Sequence, residues 1–182
     1  MAAALNDNTL LGIYLNDHLA GAVGGGELAR RLAGAEREWA GGEVLQRLAS
    51  EVAEDRAALL DMMTALDVPV RHYKTWAAWA VEKVSRLKLN GRLVVRSPLS
   101  RVVELEAMRL GVEGKSAGWR TLRVRAETDS RLDSTRLDEL IGRARRQIDQ
   151  LERLRVRAAA EAFGGEVEPV EIVHGTEGDQ NP

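Results

Sequence analysis

The run NTLLGIYLNDHLAGAVGGGELARRLA, residues 8–33, decides the fold class. Within it Leu11, Leu15, His18, Ala22, Gly25, Ala29 and Leu32 recur at three- and four-residue steps, which is one face of an α-helix and not the alternation of a strand. Asn6, Asp7 and Asn8 stand before it as candidate N-caps. The spacing predicts a helix over 8–33.

Working outward, the same period returns. From Gly42 onward, Leu45, Leu48, Val52, Asp55, Leu59, Met62 and Leu66 share a stripe, and Val68-Pro69 ends it because the residue before proline avoids helical backbone. Between Pro69 and Leu89, Tyr73, Trp76, Ala77, Ala80, Val84 and Leu87 make a further stripe, closed by Asn90-Gly91 as a C-cap signal. Ser97-Pro98 opens the next helix, with Ser97 as N-cap and Pro98 at the first helical position. Its expected seam is Leu99, Val103, Glu106, Leu110, Glu113 and Ala117. After a polar break at Thr128-Asp129-Ser130, a last helix carries Leu137, Ile141, Ala144, Ile148, Leu151, Arg155 and Ala158 as far as Phe163. The reading is all-α: a helical bundle domain over 1–163 and an acidic, disordered tail over 164–182, which holds no Lys or Arg.

Composition narrows the function classes. A chain of 182 residues suits one domain with a real core, and with only 4% aromatics that core is built from aliphatic seams. The absence of Cys excludes disulfides, thiolate metal sites and thiol nucleophiles. A net charge of −2 argues against general nucleic-acid binding, which needs a basic surface to neutralise phosphates. No apolar run is long enough to cross a bilayer, and with no basic-then-apolar start a cytoplasmic location is expected, with no membrane partner.

Several polar residues fall on stripes expected to face the core. His18 lies mid-stripe beside Asp17; Asp55 interrupts the second stripe, one turn after Glu51. Burying any of them unpaired costs several kcal/mol, of order 2–7 for a neutral group and more for a charge. An antiparallel register about a turn near 34–42 sets Asp55 opposite Gly21, a helical turn from His18. The last two helices, paired the same way, set Glu106 near Gln150, Arg109 near Gln147 and Glu113 near Arg143. Arg109, Glu113, Arg143 and Gln147 are thus expected to satisfy one another as a structural polar network.

These carboxylates and the histidine, within two helical hairpins joined by a long connection, resemble the ferritin-like superfamily. That resemblance implies a four-helix bundle with an extra helix in the crossover between the second and third bundle helices; an up-and-down bundle with a fifth helix packed alongside is the alternative. It also implies a two-metal centre held by one Glu from each of two helices and a Glu-x-x-His from each of the others. Glu106 matches a lone Glu. The first helix offers Asp17 and His18, the second Glu51-Val52-Ala53-Glu54 with Glu where His belongs, and the last Gln147-Ile148-Asp149-Gln150 with neither ligand.

Three functional expectations follow. The first is a non-catalytic ferritin-like bundle, without cofactor, that acts by self-association or by binding a protein partner. The second is a metal-binding protein holding iron or manganese through His18, Glu51, Asp55 and Glu106. The third is an anion- or nucleic-acid-binding module on the basic segment Arg86, Lys88, Arg92, Arg96 and Arg101, which has Trp76 and Trp79 close by. His72 and His174 are expected to be solvated. Gly21, Gly24, Gly25 and Gly26 interrupt the first helix at about 1 kcal/mol each. Close helix approach, a kink, or room for a ligand beside His18 account for them, in that order. Gly111-Val112-Glu113-Gly114-Lys115-Ser116 ends like a phosphate-binding loop, but no strand precedes it and its helical pattern is unbroken.

Overall fold

The structure is a computed structural model, and it describes residues 7–71 and 97–165. Four helices lie there: α1 (Asp7–Ala35), α2 (Gly42–Ala65), α3 (Pro98–Arg125) and α4 (Ser134–Phe163). No strand occurs among the described residues, so the chain is all-α. The helix expected over 69–89 falls largely outside them, as do Trp76, Trp79, His72, His174 and most of the acidic tail.

Local chemistry sets the helix ends. Ser97 caps α3, its hydroxyl accepting from the Ser100 N–H at 3.3 Å, with Pro98 at the first helical position. Asp133 caps α4 by accepting from the N–H groups of Thr135 and Arg136, and Gly164 closes that helix in the left-handed region at φ 73°. α2 ends at Leu66 a little before Val68-Pro69, where Asp67 takes φ 54° and the Val68 N–H reaches back to the Met63 carbonyl. The α1–α2 turn requires glycine at Gly41 and Gly42. A Cβ on Gly41 would sit 2.4 Å from the Trp39 ring, and one on Gly42 would meet the Glu36 and Arg37 carbonyl oxygens at 2.6 Å.

The helices pack in a ring: α1 against α2 and α3, and α4 against α3 and α2. Leu15, Leu32, Leu48, Met63, Leu105, Leu122, Leu137 and Leu151 are the large apolar side chains sealed at its centre. Neighbouring helices meet with sequence running in opposite senses. Between α1 and α3, Tyr14 pairs with Thr121 and Arg31 with Glu104. Between α2 and α4, Glu54 pairs with Arg143 and Asp61 with Arg136. Between α3 and α4, Arg109 pairs with Glu152 and Arg123 with Asp138.

Two expectations are corrected. The core face of α3 is Val102, Leu105, Met108, Val112, Trp119 and Leu122, whereas Leu99 and Leu110 of the expected seam are 51% and 67% exposed. Glu106, Glu113 and Ala117 are exposed as well. The expected seam carries Glu106 and Glu113 among its apolar residues, and the stripe with Met108, Trp119 and Leu122 is buried instead because it removes more hydrophobic surface from water. The register of α3 against α4 also differs from that expected, by more than one helical turn. Arg109 faces Glu152 and Lys115 faces Gln147, because the connection between the two helices is centred later than Thr128-Asp129.

Candidate functional site

Mid-bundle, Lys115 extends from α3 toward α2 and α4. Its ammonium donates to Asp55 Oδ2 and, at 2.5 Å, to Gln147 Oε1. Gln147 is fully buried and donates through Nε2 to Glu51 Oε2 at 2.7 Å and to Asp55 Oδ2 at 3.4 Å. Arg143 places Nε 3.4 Å from the other Asp55 oxygen and binds Glu54 at 2.6 Å. Asp55, only 2% exposed, is thus held by a lysine, an arginine and a glutamine drawn from two helices. Burial pushes the Lys115 ammonium below its ordinary pKa; the Asp55 charge and hydrogen bond oppose that shift, and Arg143 adds to it.

His18 stands on α1 above Gly118 of α3, close enough that a Cβ there would lie 3.0 Å from its ring. Tyr14 packs edge-on against the imidazole at 4.5 Å, and its hydroxyl bonds Thr121 at 3.0 Å. Burial lowers the His18 pKa more than the neighbouring Asp17 raises it, which favours the neutral ring.

Between these two groups lies a cavity of about 680 Å³, bordered by α1, α2 and α3. Asp17, His18, Asp55, Arg56, Lys115 and Trp119 reach its wall, which is otherwise mostly apolar. Glycines line it from both sides: Gly21, Gly24 and Gly25 on α1, and Gly111, Gly114 and Gly118 on α3. A Cβ at Gly21, Gly25, Gly111 or Gly114 would meet nothing within 4 Å. Close helix approach, the first of the three reasons for the α1 glycines, is therefore not their role at Gly21, Gly25 and Gly26; Gly21 and Gly25 leave open space in the cavity that His18 borders.

No family model, no curated protein and no solved structure matches this chain.

The predicted site residues separate. His18 and Asp55 border one cavity, and Glu51 joins Asp55 through Gln147. Glu106 does not join them: it is on the outer face, half exposed, 3.7 Å from Arg155. The expected polar network divides in two. Arg143 and Gln147 belong to the buried layer, while Arg109 and Glu113 lie with Glu152 and Arg155 nearer the surface. There Arg155 holds the Glu152 carboxyl below its ordinary pKa. Lys115, the centre of the buried layer, is not among the residues the sequence singles out for the site. Its signal was a rare lysine among glycines one or more turns apart.

Of the basic segment only Arg101 is described, and it is engaged within the chain. It bonds Glu36 at 2.8 Å and Glu161 at 2.7 Å, with its guanidinium 4.6 Å above the Trp39 ring. It ties the α1–α2 turn to the start of α3 and the end of α4.

Among the described residues no three His, Asp or Glu side chains form a group that could hold a metal ion. The most buried carboxylate, Asp55, already faces two protein cations. No helix among them is long and apolar enough to cross a membrane.

Proposed function

We propose that this protein is a non-catalytic bundle of ferritin-like topology that acts by self-association or partner binding, with a salt-bridged polar layer standing where the resembling family holds metal. The observation that carries this reading is the Lys115 ammonium on Asp55 and Gln147, a protein-borne cation among carboxylates. Buried charges need compensation, and a lysine in hydrogen-bonding distance supplies it without an ion.

The two-hairpin arrangement is supported by the ring order and by the opposed senses of neighbouring helices. The end of α2 also lies beside the α3–α4 turn, through Asp67 and Arg131 at 3.3 Å, while α3 starts beside the α1–α2 turn. These contacts set the two helix ends at opposite ends of the bundle, which a long crossover would join. Partner binding or self-association is supported by the outward stripe of α3, where Leu99, Leu110 and Val124 are 51%, 67% and 67% exposed.

The test is incubation of the protein under anaerobic conditions with Fe(II), Mn(II) or Zn(II), then desalting and elemental analysis, with Asp55→Asn in parallel. Sedimentation of wild type and Leu110→Asp accompanies it. We expect no retained stoichiometric metal, and self-association that the α3 variant weakens. Near-stoichiometric metal lost in Asp55→Asn would replace this reading with the metal-binding one.

A further inference from the structure

The cavity bordered by α1, α2 and α3 is not explained by a structural polar layer. A bundle held together only by aliphatic seams fills the space between its helices, because interiors are close-packed. Here six glycines from two facing helices withhold side chains from one volume, which opens to solvent at Gly21, Gly111 and Gly114, and at four of the six a Cβ would touch nothing. At about 680 Å³ that volume lies in the range of small-molecule pockets.

The polar groups at its wall state what it would hold. Trp119 borders the cavity and is 3% exposed, and its indole N–H has no acceptor among the described residues. Lys115 borders it too; an ammonium has three donors, and two are taken by Asp55 and Gln147. Asp55 Oδ1 on the same wall also lacks a hydrogen bond, but it faces Arg143 Nε at 3.4 Å, so the wall's free hydrogen-bonding capacity is for an acceptor. Charge decides between acceptors. Counting the wall and the adjoining layer together, Asp17, Glu51, Glu54 and Asp55 stand against Arg56, Lys115 and Arg143, so a further negative charge would be repelled by carboxylates already in excess. His18, held toward its neutral form, adds no compensating cation.

We propose that this cavity is a binding site for an uncharged, largely apolar small molecule that presents a carbonyl or similar acceptor to Trp119 and Lys115. Its apolar body lies along the glycine-lined walls of α1 and α3, with the His18 ring at one side. The inference stands apart from the topology and partner reading above.

The experiment titrates the full chain with prodan, an uncharged naphthalene ketone whose emission shifts to the blue on leaving water, and with the dimethylaminonaphthalene that lacks its acyl group. Gly25→Leu and Gly111→Leu fill the cavity from opposite walls, at positions where the new Cβ has free space. Each should weaken prodan binding at least tenfold without lowering the urea midpoint of unfolding. Trp119→Phe should weaken prodan severalfold, read by the probe's own emission, and leave the acyl-free probe unchanged, the loss expected for one neutral hydrogen bond. Decanol should displace prodan at lower concentration than decanoate. No saturable prodan binding by wild type, or binding that both filling variants leave intact, would overturn the site. Better displacement by decanoate would overturn the ligand class.

Discussion

Lys115→Met tests the buried layer most directly. The substitution keeps the length and apolar stem of the side chain and removes the ammonium from Asp55, which is 2% exposed and cannot regain water without opening the bundle. Breaking a buried ion pair by removing one partner costs about 3–5 kcal/mol. Arg143 Nε remains 3.4 Å from the other Asp55 oxygen, and methionine is spared the lysine's desolvation, so the lower end, about 3 kcal/mol, is expected. For a chain of this size that lowers Tm by roughly 6–12 °C, at about 2–4 °C per kcal/mol. Asp55→Leu combined with Lys115→Met removes both charges and should return to within about 1 kcal/mol of wild type, since a buried pair replaced by apolar groups is often neutral. Urea unfolding of wild type, both single variants and the double variant gives the coupling energy. Raising NaCl to about 1 M should leave it nearly unchanged, because buried pairs are screened far less than surface ones. If Lys115→Met costs under about 1 kcal/mol, or the single effects add to within about 0.5 kcal/mol, the layer is not the coupled buried network described here.

Two further outcomes are expected. Gly26→Ala should raise stability by about 1 kcal/mol in urea unfolding, because helix propensity improves and its Cβ meets nothing within 4 Å; destabilisation would restore close helix approach as the reason for the glycines. The Asp129 carboxyl is held far below its ordinary pKa, first by its hydrogen bond from Arg131, so its contribution to stability is complete above the unfolded value of 3.8 and is lost as pH falls below it. Asp129→Asn should therefore flatten the loss of stability between pH 5 and pH 2, and an acid profile parallel to wild type would refute that role.

The sequence by itself determined the local structure. Apolar residues at helical spacing placed α1, α2 and α4 on their buried stripes, and Ser97-Pro98 set the start of α3 where the cap geometry puts it. Such features are legible because period and capping depend on residues within a turn of one another. His18 and Asp55 were likewise recognisable as polar interruptions of apolar stripes. Only the tertiary structure decided which of two stripes on α3 turns inward, because that choice depends on what α1 and α4 offer to each. The side facing the core carries Trp119 and Lys115, and it leaves Glu106 to Arg155 on the surface. A slip of more than one turn in the α3–α4 register then exchanged Arg109 for Lys115 as the partner of Gln147. The open space beside His18 has the same origin. Glycines can mark close approach or empty volume with equal ease in a sequence, and the distance between two helix axes tells them apart.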